Sequence, residues 1–411
     1  MGIRYKTLVE HFKKDAEGAS VALRESFKNK DVRPEDFDLG RLFEECYGFH
    51  AFQAVRNKEA LASDVIAREA GGQLGSVKFS EGSSRLQEAQ GAVTTSHFQN
   101  ISGQIVYSAT LQAYETEATP FTDLITEVQA TFLEGEKMAG VTELGDEIVV
   151  RPETEPYALA GPGENWVFTP PILDRGVIVP VTWEAIFSDR TGQLLDRCRD
   201  VGKWRKINKE KRAIDAVIDE NTTAHRYNWR NAGQIATYGD NSGSHTWDNL
   251  VASNALVDHT DIDAVMQAFN ALTDPFTGEP IAIDAVHIVA VNALELTVAR
   301  IMNSTQVLTH IGGYPVTGNP TTFTQANPFA GRFKPVISRR LAGRLATDTD
   351  WFVGNITALV KYMVAERMNV VQAPPNNHDE FHRRIVFQNR VNERGQHVVV
   401  EPRAMVKSTV A

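Results

Sequence analysis

One proline-free stretch, residues 192–220, constrains the fold of this chain more than any other feature of its sequence. Its apolar residues recur every three or four positions, which is the spacing of one face of a helix. They are Leu194, Cys198, Val201, Ile207, Ile214, Val217 and Ile218. Thr191, just before the stretch, is a suitable N-cap residue. A helix of this length spans roughly 43 Å at 1.5 Å per residue, so the sequence predicts a helix longer than most in globular proteins.

Charge is segregated along the chain, and the predicted long helix carries its basic pole. Residues 197–212 hold eight basic and two acidic side chains, a balance of +6. Residues 91–180 hold three basic and 13 acidic side chains, and their balance of -10 equals the net charge of the whole chain. A net charge of this sign argues against holding nucleic acid by overall attraction. Three interpretations of the basic stretch stay open: contact with nucleic-acid phosphates, docking of a neighbour's acidic segment, or a solvated helix face.

The acidic pole includes an extended segment that cannot bury itself. From Glu147 to Val181, β-branched and aromatic runs are divided by Gly161-Pro162-Gly163 and by Pro170-Pro171. Such residues favour turns, and prolines are excluded from central strands because each removes a backbone donor. The segment therefore predicts a long hairpin that protrudes from its own domain and lies on something else.

The rest of the chain predicts an α+β protein. Residues 1–90 have helical spacing of apolar residues and end in a Gly/Ser-rich linker at 71–84. Strand-like and helix-like runs alternate over residues 255–372. After them, RRIVFQNRV and QHVVVEPRAMV predict two strands around a turn at Asn392–Gly395.

Composition excludes several classes of protein. No run approaches 18 consecutive apolar residues, so no membrane-spanning helix is expected. The first 15 residues lack the apolar core of a secretory signal. Only Cys46 and Cys198 are present, which favours a reducing cytoplasm over a disulfide scaffold.

The sequence contains one weak candidate for a metal site. His378 and His382 are four residues apart, but the glutamate between them is one position late for a zinc-protease motif, and no third ligand is evident. Both cysteines lie on apolar helix faces, as core residues do. No group of residues forms a catalytic constellation, so we predict a protein that is not an enzyme and has no cofactor. A soluble metal-dependent enzyme using His378 and His382 is the alternative.

Several segments resemble one known family. TTAHRYNW (222–229), WDNLVASNALVDHTDIDAVMQAFNALTDPFTGEPI (247–281) and HIVAVNALELTVARIMNST (287–305) are similar to the Mu-type prophage head subunits, a branch of the tailed-bacteriophage major capsid proteins of the Hong Kong 97-type fold. The resemblance implies that the chain has five parts. The first three are an N-terminal helical extension at 1–90, an arm at 91–135 and an extended loop at 136–180. The other two are a peripheral domain at 181–254 and 373–411, with a spine helix at 192–220, and an axial domain at 255–372.

The resemblance implies a structural protein whose pentamers and hexamers form an icosahedral shell around double-stranded DNA. Its partners would be copies of itself, portal, decoration or scaffold proteins, and non-specifically bound DNA, with no membrane. It would assemble in the bacterial host cytoplasm and stay in the virion capsid. An encapsulin-type compartment that stores cargo is an alternative within the same fold.

We expect electrostatic contacts between the acidic loop of one subunit and the basic helix of the next. The predicted basic residues are Arg205, Lys206, Lys209 and Arg212, and the predicted acidic residues are Glu143, Asp146, Glu147, Glu153 and Glu155.

Overall fold

A computed structural model describes most of the chain. It covers residues 7, 16–33, 37–47, 49–56, 101–140, 166–182, 193–242, 247–274, 278, 280–281, 283–310, 322–373 and 385–410. The chain divides into two compact units, each built from three separate segments. Unit 1 comprises Met1–Ala118, Asp174–Ile207 and Glu366–Glu393, and unit 2 comprises Thr119–Leu173, Asn208–Ala365 and Arg394–Ala411. The five-part division inferred from sequence position stays a prediction.

Helices occupy the N-terminal region, the centre of the chain and the connections of one sheet. In the described ranges the α-helices are Ala16–Lys28, Leu39–Tyr47, Phe49–Arg56, 101–116, Gln193–Ile218, His259–Asn270, Glu295–Asn303, Arg339–Ala342 and Ile356–Leu359. The same ranges contain short 3-10 helices at Thr122–Leu124, Asn292–Leu294 and Pro402–Ala404. The predicted helical character of residues 1–90 is confirmed for the ranges that the structure describes.

The strands among the described residues form four sheets. They are β1 (Thr126–Gln129), β2 (Lys137–Ala139), β3 (Trp166–Phe168), β4 (Asp174–Thr182), β5 (Leu250–Val251), β6 (His287–Val291), β7 (Gln306–His310), β8 (Thr322–Ala326), β9 (Lys334–Ser338), β10 (Trp351–Gly354), β11 (Val360–Gln372), β12 (Ile385–Val399) and β13 (Met405–Ser408). The sheet orders are β1-β11-β12-β4, β5-β13-β10-β6-β9, β2-β3 and β7-β8. Because helices and mixed sheets are both present, the predicted α+β class is confirmed.

A helix of 26 residues runs from Gln193 to Ile218, as the sequence predicts. Its last six residues, 213–218, are all buried. Within unit 1, Gly202 permits a close crossing with the helix at 101–116. A Cβ atom at Gly202 would lie 2.2 Å from the main-chain oxygen of Thr110, and the Thr110 hydroxyl donates to the Cys198 carbonyl at 3.3 Å. Apolar periodicity therefore produces the helix, and a glycine sets how closely its neighbour approaches.

The five-stranded sheet forms the core of unit 2. Every residue of β6 and β10 is buried, as expected for strands covered on both faces. The helix Glu295–Asn303 and the strands β7 and β8 lie between β6 and its parallel neighbour β9 in the chain. The helix His259–Asn270 begins with a capping box formed by Asp258 and Asp261, which satisfies amides in its first turn.

The predicted turn at Asn392–Gly395 is wrong. β12 continues through these residues from Ile385 to Val399. The strand has a glycine at position 395 because the Tyr362 side chain packs against it. A Cβ atom there would be 2.1 Å from the Tyr362 hydroxyl oxygen. The break comes later, at the 3-10 helix Pro402–Ala404, where the Glu401 carboxylate accepts a hydrogen bond from the Arg403 amide. A strand glycine can thus mark a close approach instead of a turn.

None of the helices in the described ranges combines the length and the apolar character needed to cross a bilayer.

Candidate assembly site

Glu210 of the long helix fixes residues 121–122, which precede the predicted extended loop at 136–180. Its side chain is fully buried in unit 2. Its two carboxylate oxygens accept hydrogen bonds from the main-chain amides of Phe121 at 3.0 Å and Thr122 at 2.9 Å, and from the Thr122 hydroxyl at 2.6 Å. These amides lie at the start of a 3-10 helix, where no intrahelical acceptor is available. A buried carboxylate needs such donors, so Glu210 and residues 121–122 stabilise each other.

The adjacent Lys209 holds the next part of the same segment. Its side-chain nitrogen lies 3.0 Å from Glu127 Oε1 and 4.0 Å from the centroid of the Tyr362 ring. Glu127 and Tyr362 are register partners in the parallel pair β1–β11. Lys209, only 4% exposed, therefore bonds a cross-strand pair of its own subunit by an ion pair and a cation–π contact.

Arg205 makes the corresponding contact in unit 1. It is also 4% exposed, and its Nη2 atom donates to the main-chain oxygen of Arg175 at 2.6 Å. Arg175 belongs to β4, which begins near the end of the predicted extended loop at 136–180. The long helix thus uses Lys209 and Glu210 to hold residues 121–127, before that loop, and Arg205 to hold Arg175, near its end.

The other two predicted basic residues are partly exposed. The Lys206 nitrogen lies 5.2 Å from the Tyr114 ring centroid, and Arg212 donates to the Asn208 side chain. The exposed cations of the helix are Arg197, Lys203 and Lys211. The five predicted carboxylates, Glu143, Asp146, Glu147, Glu153 and Glu155, lie outside the described residues. Their pairing with a neighbouring helix stays a prediction, and Arg205 and Lys209 are already bound within their own subunit.

Three carboxylates at the end of the long helix form a second anchor, in unit 2. Acidic groups are disfavoured at a helix C-terminus because the last carbonyls are unpaired. Here cations compensate: Arg344 binds both oxygens of Asp215. The Glu220 carboxylate lies 3.2 Å from the Lys407 nitrogen and accepts from the Ala346 amide at 2.7 Å. The end of the helix is thereby tied to the loop before β10 and to β13.

Asp219 is the third of these carboxylates. It accepts from Arg226 Nε at 3.0 Å and from the Thr237 amide at 2.9 Å, and it lies 3.0 Å from His225 Nε2. Burial alone would raise the pKa of Asp219, but the hydrogen bonds from His225, Thr237 and Arg226 outweigh it and lower the pKa below 3.8. Sequence reasoning missed this cluster. Its signal was three acidic residues where a helix ordinarily favours basic ones.

The structure offers no reactive centre in its described ranges. Cys46 and Cys198 are buried, and burial raises the pKa of the Cys198 thiol to about 11, so this thiol stays protonated at neutral pH. No group of three metal-ligating residues occurs in the part of the chain that the structure describes. His378 and His382 lie outside it.

Comparisons with known proteins point to one family. Residues 168–408 match the family model described as phage capsid protein. No curated protein sequence matches this chain.

Solved structures similar to this chain include viral capsids and an encapsulin. A structure from Gordonia phage Cozz is 13% identical over 72% of this chain and 87% of that chain, with a TM-score of 0.43. The capsid of cyanophage P-SCSP1u is 13% identical over 72% and 89%, with a TM-score of 0.42. The SrpI encapsulin from Synechococcus elongatus is 12% identical over 72% and 89%, with a TM-score of 0.39. At these TM-scores the family assignment depends on the family match alone.

Proposed function

The chain belongs to the phage capsid protein family, and we therefore propose that it is the major head subunit of a tailed bacteriophage. Copies of the chain form pentamers and hexamers, which close into an icosahedral shell of the Hong Kong 97 type around double-stranded DNA. The observation that carries the proposal is the family match over residues 168–408, which spans the long helix and the five-stranded sheet. The narrower assignment to the Mu-type branch is part of this proposal.

The contacts of the long helix support a role for the predicted extended loop at 136–180 as an acidic arm between subunits. Own-chain contacts hold residues 121–127 before this loop, through Glu210 and Lys209, and Arg175 near its end, through Arg205. Because both ends of this acidic arm are held by contacts within its own chain, the arm can bind a neighbouring subunit while these contacts stay in place. There its carboxylates face the partly exposed Lys206 and Arg212 and the exposed Lys203 and Lys211. Exposed pairs contribute roughly 0–1 kcal/mol each, so they set the register while apolar contacts hold the shell.

The charge of the subunit also affects how strongly the shell would bind packaged DNA. Residues 1–90 and 181–411 have balances of -1 and +1, so the subunit outside residues 91–180 neither binds nor repels a polyanion strongly. A container with such walls lets packaged DNA slide. The other proposed partners are portal, decoration or scaffold proteins. The shell would assemble in the host cytoplasm and remain in the virion.

Charge reversal on the helix tests the arm contact. Lys203→Glu with Lys211→Glu should impair shell formation, because both side chains are exposed and reversal turns attraction into repulsion. The matched controls are Lys203→Gln with Lys211→Gln, which should assemble at a somewhat higher subunit concentration. Adding Glu143→Lys and Glu147→Lys to the reversed chain should restore shells. Normal shells from the reversed chain, seen by negative-stain electron microscopy, would refute the contact.

The contents of purified particles distinguish a virus head from a storage compartment. Particles recovered from phage-producing cells should contain double-stranded DNA that resists added nuclease. A single enclosed enzyme in place of DNA would instead support an encapsulin-type function.

A further inference from the structure

An exposed apolar turn in unit 2 lies at the start of the predicted extended loop (136–180). We refer to residues 131–136 as the knob. Phe132 is 63% exposed and Leu133 is 49% exposed, and Glu134 beside them is also exposed. Large apolar side chains clustered at a surface in this way often mark an interaction site.

The knob has a fixed conformation. Gly135 has a φ of 103°, and a Cβ atom there would lie 2.5 Å from the Thr169 main-chain oxygen. The Glu136 amide donates to the Thr169 hydroxyl at 2.8 Å, and the Ile172 amide donates to the Leu133 carbonyl at 2.8 Å. Because these bonds already order the turn, docking it would cost little conformational entropy.

Unit 1 contains a groove of a size that could receive the knob. It has a volume of about 1360 Å³ and lies between the helices Ala16–Lys28 and 101–116, with residues of β11 and β12 also lining it. Its apolar lining includes Val21, which is 54% exposed, Tyr107, Leu111 and Val370. The groove therefore offers apolar surface on two helix faces.

The polar lining of the groove favours an acidic peptide segment. Its charged lining is Arg24, Lys28, Lys30 and Arg33 together with Glu25 and Glu115, so basic side chains outnumber acidic ones. Arg24, Lys28 and Lys30 make no ion pair with any residue that the structure describes. Asn389 lines it too; this residue is 2% exposed, and neither its amide nitrogen nor its amide oxygen has a hydrogen-bond partner within the described ranges. Buried amides normally have partners. An inserted segment would supply main-chain groups to Asn389 and a carboxylate to the cations.

We propose that the knob of one copy docks in the groove of a second copy. Phe132 and Leu133 cover the apolar lining, and Glu134 meets Arg24 and Lys28. The two surfaces are different parts of the chain, so the contact is heterologous and repeats around a ring. This inference rests on the proposed function, since it names a contact that joins capsid subunits, and it gives the N-terminal helical region a place in assembly.

Engineered cysteines test the contact directly. Leu133→Cys with Val21→Cys in one full-length chain, treated with a mild oxidant, should give a ladder of cross-linked species beyond the dimer on a non-reducing gel. The native Cys46 and Cys198 are buried and should not react. The matched control, Val257→Cys with Val21→Cys, places one cysteine at another exposed apolar position (Val257 is 67% exposed) and should stay monomeric.

The outcomes separate this contact from the proposed function. Imaging the same sample by negative stain reports whether shells form at all. The knob–groove contact would be overturned if the Leu133→Cys, Val21→Cys chain gave only single-chain bands. It would also be overturned if the control cross-linked equally. Both conclusions hold whether or not shells are present. A ladder of cross-linked species would support the knob–groove contact even if the subunits assemble without closing into shells.

Surface variants provide a second readout. Phe132→Ser with Leu133→Ser should raise the subunit concentration needed for assembly by about tenfold or more, while the thermal unfolding of the unassembled chain stays unchanged. Val257→Ser should leave assembly as it is. Assembly of the double variant at the wild-type concentration would contradict the proposal.

Discussion

Glu210 is a buried charged residue whose partners are all in its own subunit. Its carboxylate accepts three hydrogen bonds from Phe121 and Thr122. Glu210→Gln replaces one acceptor oxygen with a donor that faces other donors. We expect the free energy of unfolding to fall by about 1–3 kcal/mol, measured by urea denaturation of the unassembled chain. Asp200→Asn, at an exposed position of the same helix, should change it by less than about 0.5 kcal/mol. Equal effects of the two variants would show that Glu210 is not an anchor.

Asp219 gives the chain a stability that depends on pH. Its pKa is lower in the folded state than its ordinary value of 3.8, so its contribution is present above that value and is lost as pH falls through the folded pKa. The free energy of unfolding should therefore decrease as pH falls from about 5 to about 3.

Asp219→Asn isolates that contribution. Asn also adopts the left-handed conformation of this position, where φ is 58°. The variant should be less stable than the wild type at pH 7 and should lose less stability between about pH 5 and 3. The free energy of unfolding of both chains can be followed against pH by circular dichroism. If it falls equally in the wild type and in the variant, Asp219 is not the source of the pH dependence.

The roles of individual charged residues were the hardest feature to predict from the sequence. The +6 stretch indicated a surface that a neighbouring subunit could bind, yet Arg205 and Lys209 are buried against Arg175 and Glu127. Helical spacing alone did not identify them, because a long lysine or arginine can cover apolar surface and bond a group of its own chain. Glu210, one residue from Lys209, was not predicted as a contact at all.

At the scale of elements, the crossing at Gly202 sets how the long helix packs in unit 1. Gly202→Ala would place a methyl group 2.2 Å from the Thr110 carbonyl oxygen, and main chain cannot move aside as a side chain can. We expect a loss of about 1–3 kcal/mol in the free energy of unfolding, measured by urea denaturation.

Gly343→Ala is the matched control, because a Cβ atom at Gly343 would have no other atom within 4 Å. It should leave stability unchanged or raise it slightly. A Gly202 variant as stable as this control would mean that the two helices separate at no cost.

Elements with strong local patterns were predictable, and those decided by distant partners were not. The long helix, β6 and the helix His259–Asn270 follow from apolar spacing and capping residues. The turn at Asn392–Gly395 was wrong because Gly395 packs against Tyr362, which lies far away in the sequence. Local propensity cannot report such a contact.

At the scale of the whole molecule, charge separation should make assembly sensitive to salt. Exposed ion pairs are screened when the Debye length falls from about 10 Å at 0.1 M to about 3 Å at 1 M salt. The subunit concentration needed for assembly, measured by light scattering, should therefore rise over this range. A chain carrying Lys203→Gln and Lys211→Gln should respond less. An identical salt response of the two chains would argue against the electrostatic register.

Whether this chain is a shell subunit can be measured from the mass of the purified full-length protein in solution. Size-exclusion chromatography with multi-angle light scattering should show closed particles of many 45.5 kDa chains eluting in the void volume, together with free subunits or capsomers. A chain that remains monomeric at every concentration, in low and high salt, would contradict its role as a shell subunit.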